Sequence, residues 1–177
     1  MAESKMKSLA MKIAKIAAIT IPILLVTGFV GWSYTCPCDR TPGGYLFGAT
    51  PEGEMSDWSF ANDIPLCQIQ IRDGLIPYSI NLNCMATPAG DLYLSCSVCT
   101  RKNWSGAVLE NGRARIRLDG TVYPVTLTRV MDSNELDRVW VARVKKLQVH
   151  AAPPLNPAVP LGTPRPDHWW SFRVESR

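Results

Sequence analysis

Between residues 66 and 127 apolar and polar positions alternate in five short stretches. Leu66–Ile71 and Tyr78–Cys84 have the period of two expected of half-buried strands. They read as a hairpin with a longer connection over Arg72–Pro77. Leu92, Leu94 and Cys96 repeat the pattern after a turn at Ala86–Gly90. Ile116 and Leu118, then Val122, Val125 and Leu127, supply two more strands. Asp119-Gly120 between them predicts a tight hairpin, because both central positions need a positive φ. A short helical piece is expected around Ser105–Asn111. Short strands with short connections argue for an antiparallel barrel or sandwich rather than βαβ units.

The pattern then changes. Ser133–Lys146 reads as a helix with Asp132 or Ser133 as N-cap and Glu135 in the first turn. Arg143, Lys145 and Lys146 fall in the last turn, where positive charge suits the helix dipole. Leu136, Val139, Trp140 and Val144 lie close to one face. Ala151–Pro166 carries six prolines and cannot be helix or strand throughout. It predicts a surface excursion or a docking arm. Asp167–Val174 is strand-like and is expected to return to the barrel, since an apolar stretch would otherwise lie stranded in solvent.

At the amino terminus, Lys5, Lys7, Lys12 and Lys15 precede an apolar run from Ile16 to Tyr34. That run is about the ~20 residues needed to cross a bilayer. The lysines before it, and Asp39, Glu52 and Glu54 after it, predict a cytoplasmic N-terminus and an extracytoplasmic remainder, a single-pass protein of the inner membrane with a periplasmic domain. No clean signal-cleavage site follows the run, so a retained anchor is expected. No twin-arginine pair is present, which implies export as an unfolded chain. The expected organisation is a basic tail and anchor over 1–35, a linker over 36–55 and one domain over 56–177, with the excursion at 151–166.

The chain has 177 residues, 46% of them hydrophobic and 19% charged, which excludes a disordered or polytopic chain. The formal net charge is only +4, and no basic-aromatic stripe points to nucleic acid.

Six cysteines in an oxidising compartment suggest disulfides or buried thiols. Cys67 and Cys84 sit near the two ends of the first hairpin and face each other if its turn centres on Leu75-Ile76. Cys96-Ser-Val-Cys99 is a C-x-x-C at a strand end. With Cys36-Pro-Cys38 it offers four thiols for zinc, but the two pairs are far apart for a zinc knuckle, and no metal site is expected. Arg101 and Lys102 would lower the pKa of Cys99, as a redox dithiol needs, but the thioredoxin-like βαβ context is absent, so a structural disulfide or buried thiol is expected. His150 and His168 flank the proline-rich arm as surface residues, and no catalytic residue can be named.

Taken in order, Asp57-Trp-Ser-Phe60, the 66–71/78–84 hairpin, Leu92-Tyr-Leu-Ser95, Arg101-Lys-Asn-Trp104, Arg113–Arg117, Asp119-Gly-Thr-Val-Tyr123 and Trp170-Ser-Phe-Arg173 resemble the FMN-binding split-barrel superfamily, which includes pyridoxamine 5'-phosphate oxidase-like and deazaflavin-dependent oxidoreductase-like proteins. The resemblance covers roughly residues 56–130 and the last strand. It implies an antiparallel split β-barrel, mainly β with one or two short helices, behind the transmembrane helix. It also implies a flavin phosphate held by Ser95, Ser97, Thr100, Arg101 and Lys102, since a phosphate dianion takes hydroxyl donors and cations. Backbone N–H groups near Ser105 would add to that cradle. Arg72 and Asn83 would face the ring system, and Trp104 would stack on it or cap the core. Arg113, Arg115 and Arg117 share one strand face, either solvated or meeting an anionic ligand or partner. Family sites lie at a dimer interface, which implies a homodimer through the barrel.

Three functions follow. The first is a membrane-anchored oxidoreductase using FMN or a related cofactor. The second is a cofactor-free accessory subunit tied to a larger membrane complex by the anchor and the proline-rich arm. The third is a thiol-redox or metal-handling protein.

Overall fold

The computed structural model describes residues 2–38, 41–74, 76–153 and 156–177. The chain divides into two compact units, Met1–Thr35 and Cys36–Arg177.

The first unit is one helix, α1 (Ala2–Ser33). The most apolar 18-residue stretch of Lys5–Ser33 has mean hydropathy 2.2, and the span itself is 29 residues long. At 1.5 Å per residue this gives about 43 Å, more than the ~30 Å of a hydrocarbon core. One helix is therefore long and apolar enough to cross a membrane. Its hydroxyls are satisfied locally: Thr20 and Thr27 donate to the carbonyls of Ile16 and Ile23 at 2.9 and 2.7 Å. Such back-bonding lets a polar side chain sit in an apolar helix.

The second unit is built on a seven-stranded sheet. Its strands are β1 (Cys67–Asp73), β2 (Ile76–Leu82), β3 (Cys84–Ala86), β4 (Leu92–Cys96), β5 (Arg113–Leu118), β6 (Thr121–Arg129) and β7 (Trp170–Ser176). They pair in the order β2-β1-β5-β6-β7-β4-β3, antiparallel throughout. β2 and β3 are the two edges of this ladder, yet only Asn83 separates them in the chain. Two Cα steps place Leu82 and Cys84 at most about 7.6 Å apart. The sheet therefore has to curl until its edges meet at Asn83, as an antiparallel half-barrel. We call this meeting line the seam.

Inward-facing residues fill the curl: Ile69, Leu92, Leu94, Ile116, Val125 and Phe172 are fully buried. Trp58 seals one end, with its ring edge-on to Tyr123 at a centroid separation of 5.0 Å. The Asp119-Gly120 turn has φ of 45° and 77°, the left-handed pair a two-residue hairpin requires. Helix α2 (Asn103–Glu110) packs on β1 and β6, and helix α3 (Ser133–Val149) packs on β3 and β7. Asp132 caps α3 by accepting from the Glu135 N–H at 2.7 Å.

Several boundaries differ from the sequence reading. The first hairpin has no long connection: its register runs from Cys67↔Leu82 to Asp73↔Ile76. Cys67 thus pairs with Leu82, and Cys84 begins a separate strand. Tyr78–Cys84 alternates without interruption, so period alone cannot reveal that the chain leaves one sheet edge at Asn83 and joins the other. Leu75 lies outside the described residues. α2 begins two residues earlier than expected, and α3 continues to Val149. The last strand sits between β6 and β4, inside the ladder.

The stretch 36–55, expected as a linker, runs along the barrel. Gly43 exchanges backbone hydrogen bonds with Ser79, and Ala49 O accepts from Val122 N at 2.7 Å. Leu46 is fully buried. Gly48 passes so close to the 119–120 turn that a Cβ there would overlap Gly120 O.

Candidate functional site

Two neighbouring cavities open along the seam, each of about 370 Å³. The first is lined by Asn81, Leu82 and Asn83 from the β2–β3 corner and by Ser95, Cys96 and Ser97 at the end of β4. Lys102, Arg143 of α3, Asn156 of the proline-rich arm and Trp169 complete it. The second shares Asn81, Leu82 and Lys102 and adds Tyr78, Ile80, Arg101, Asn103, Trp104 and Thr41. Among the described residues no carboxylate lines either one.

Local sequence explains the shape of the loop after β4. Cys96 and Cys99 are joined by a disulfide, which closes a tight loop. Val98 inside it has φ 50°, a left-handed conformation that costs a β-branched residue energy. Such strain concentrates at ligand clamps. The buried Ser105 hydroxyl donates to the carbonyls of Cys99 and Lys102, fixing the basic turn to the start of α2. The disulfide removes Cys96 and Cys99 from the thiols expected for metal binding or redox catalysis. Cys36 and Cys38 are exposed free thiols.

The electrostatics are one-sided. Arg143 is 5% exposed. Its guanidinium lies over the Trp169 ring, 4.3 Å from the centroid, and Nη2 donates to Asn156 Oδ1 at 3.3 Å. Nε and Nη1 are buried with no partner. Desolvation lowers its pKa to about 10. Lys102 is also lowered, first by desolvation and then by the positive charge of Arg143. Asn83 Oδ1 and Trp104 Nε1 are likewise buried and unpartnered. Four of the seven such atoms among the described residues thus belong to residues lining these two cavities. Buried polar atoms are almost always paired, so a cluster of orphans marks a place where something else binds.

The expected site residues divide as follows. Ser95, Ser97 and Lys102 line the first cavity; Arg101, Lys102 and Trp104 line the second. The Ser95 hydroxyl is already engaged with Ser171 Oγ at 2.9 Å. Trp104 caps the core against Phe172, with ring centroids 5.2 Å apart, and also lines the second cavity. Thr100 is exposed on the turn before α2. Arg72 is not brought to this site: it lines a separate cavity of about 310 Å³ with Arg113, Arg115 and Arg177. Of the expected arginine face, Arg115 and Arg117 hydrogen-bond Gln70 and Gln68 on β1.

Arg143, Asn156 and Trp169 were not expected here. The sequence reading assigned Arg143 and Lys146 to the last helical turn as complements of the helix dipole; both are buried. Their signal was the spacing 139-143-146-147, which puts them on the face of Val139 and Leu147. The arm itself is held on α3: Trp140 Nε1 donates to Thr163 O at 2.7 Å, Gln148 Nε2 to Val159 O at 2.7 Å, and Arg165 pairs with Asp137 at 2.8 Å.

No protein-family model matches the chain, and no curated protein matches it. The chain is a split barrel. Solved structures similar to it include a provisionally assigned pyridoxamine 5'-phosphate oxidase from Listeria innocua, at TM-score 0.48 and 10% identity, covering 66% of this chain and 87% of that one. A provisionally assigned 5-nitroimidazole antibiotic resistance protein from Bacteroides thetaiotaomicron gives TM-score 0.47 and 13% identity over 81% of this chain and 92% of the other. A pyridoxamine 5'-phosphate oxidase-related, FMN-binding protein from Nostoc punctiforme gives 0.38 and 16% over 66% and 71%.

Chemically, the residues lining the seam carry a guanidinium, an ammonium, hydroxyls and amides, and among the described residues no carboxylate. That donor set fits a phosphate monoester, which takes charge-assisted hydrogen bonds and bidentate arginine contacts.

Proposed function

We propose that this protein is a membrane-anchored flavin-binding split barrel whose seam holds FMN by its phosphate. The observation that carries the reading is Arg143, a nine-tenths-buried guanidinium with two orphaned nitrogens beside Lys102 and no carboxylate. The resemblance of residues 56–130 to FMN-binding split barrels points to the same ligand. Arg143 and Lys102 would bind the phosphate, with Ser97 and Asn156 as further polar partners. The cavity bordered by Tyr78, Ile80 and Trp104 would take the ring, with the Trp104 N–H as donor. Bound there, the flavin supplies electron or hydride transfer, while the protein supplies orientation and charge. Trp169 keeps Arg143 stacked and directed, so less side-chain freedom is lost on binding. A second copy of the chain would cover the open face of the cavities. The lysines in the first half of α1 would keep the N-terminus in the cytoplasm and put the barrel outside.

A second reading has its own observation. Between α3 and the arm lies an apolar cavity of about 640 Å³ walled by Trp140, Val141, Val144 and Leu161. It favours an accessory subunit that docks a membrane partner.

Full-length protein extracted in mild detergent decides between them by absorbance and by mass spectrometry of the released ligand. Flavin bands and an FMN mass support the first reading. Colourless protein that copurifies with one partner, and that added FMN does not colour, supports the second.

A further inference from the structure

A second chemical group sits on the seam, apart from the cavities. Cys67 on β1 and Cys84 on β3 are five steps apart in the ladder, yet both are fully buried, and Cys67 pairs with Leu82, two residues before Cys84. The Cys67 thiol also reaches Leu82 O at 3.4 Å. Lys146 of α3, 4% exposed, donates to Ala61 O at 2.7 Å and Cys84 O at 2.6 Å, with Nζ 3.9 Å from Cys84 Sγ. A buried ammonium against a thiol is costly unless the thiol carries negative charge. Both cysteines are free thiols here, whereas Cys96 and Cys99 are joined.

We propose that Cys67 and Cys84 are a redox couple whose disulfide staples the two edges of the half-barrel together. This goes beyond the flavin reading and does not depend on it. Burial raises the pKa of Cys67, and its contact with Cys84 adds to the rise. At Cys84 burial acts in the same direction, but the hydrogen bond from Cys67 and the charge of Lys146 outweigh it and lower the pKa. Cys84 is therefore the attacking thiolate. It attacks one sulfur of an external disulfide, such as glutathione disulfide or a disulfide oxidoreductase, and expels one thiolate. Cys67 gives its proton to that thiolate and attacks Cys84 Sγ, expelling the second. Two electrons and the Cys67 proton pass to the external disulfide, which leaves as one thiol and one thiolate, the thiolate taking its proton from solvent. Both sulfurs are shut off from solvent, so exchange takes place when the seam opens or before it closes during folding. The bond would close the loop that carries β2 and Asn83, and with it one wall of both cavities.

The test equilibrates the full chain in detergent, refolded from denaturant, against glutathione buffers of graded ratio. Thiols are then trapped with iodoacetamide and the peptides are weighed. The expected result is a two-electron transition linking Cys67 to Cys84, resolved from that of Cys96–Cys99. In Cys67→Ser the same buffers leave Cys84 as a glutathione mixed disulfide. The proposal is overturned if Cys67 and Cys84 remain alkylatable, or end only as mixed disulfides, in buffers that oxidise Cys96–Cys99. Flavin content plays no part in either readout.

Discussion

The Arg143 guanidinium stacks on Trp169 at 4.3 Å while its Nε and Nη1 hydrogen-bond to no described residue. A buried cation with idle donors detracts from stability unless an anion joins it. Arg143→Met should therefore leave the fold intact, with Tm unchanged or higher. FMN affinity should fall about 10- to 100-fold, the loss expected when charge-assisted hydrogen bonds of about 1.5–3 kcal/mol are removed. Thermal melts and a flavin titration on the same variant check both halves.

Affinity should also depend on pH with a definite sign. Lys102 and Arg143 both have lowered pKa values, the latter about 10. Each is cationic below its pKa, and the phosphate is attracted only to the cationic form. Binding should be strongest near neutrality and weaken as pH rises toward about 10, earlier than ordinary lysine and arginine would dictate. Titrations across this range provide the check. An affinity that stays flat to pH 10 would remove these two residues from the phosphate site.

Away from the cavities, Glu135 accepts from Tyr93 Oη at 2.9 Å and forms a two-point pair with Arg173 at 3.0 and 2.6 Å. Burial alone would raise its pKa, but the bonds from Arg173 and Tyr93 lower it. A carboxyl with a depressed folded pKa contributes stability above its unfolded value, near ~4.3, that is lost as pH falls through the folded one. Glu135→Gln should cost roughly 2 kcal/mol at neutral pH and flatten the acid limb of the stability curve. At the alkaline end, burial and Glu135 push Tyr93 up to about 12. The unfolded phenol ionises first, so wild-type stability should decline between about 10 and about 12. Denaturant melts against pH measure both limbs.

Val98 is 47% exposed and sits at φ 50° between the disulfide cysteines. Little packing is lost on changing it, and asparagine tolerates the left-handed region. Val98→Asn should raise stability by roughly 1 kcal/mol, read as an upward shift in Tm. A lower Tm would mean that its side chain packs more than its exposure indicates.

Sequence period and turn chemistry were enough to read most of the strands, the Asp119-Gly120 turn and a cap at Asp132 or Ser133, because each is a local property. That Ser95, Ser97, Arg101 and Lys102 lie close together along the seam cavities was readable for the same reason, since they form a strand end followed by a basic turn. Arg143, Asn156 and Trp169 were not, because the site draws them from a helix and an arm far along the chain. A cation at a last helical turn reads as dipole compensation unless its face is counted against Val139 and Leu147. The seam was hidden as well: a strand that changes sheet edges at Asn83 keeps its alternation. Arg72 shows the converse: it is near the same strands in sequence but lines another cavity in space.

The account rests on phosphate recognition at the seam, and paired titrations of the full-length protein with FMN and with riboflavin measure it most directly. Riboflavin has the same ring and lacks only the phosphate. The account predicts FMN binding at least about tenfold tighter than riboflavin, a gap that closes in Arg143→Met. Equal affinities for the two in the wild-type protein, or no binding of either, would contradict it.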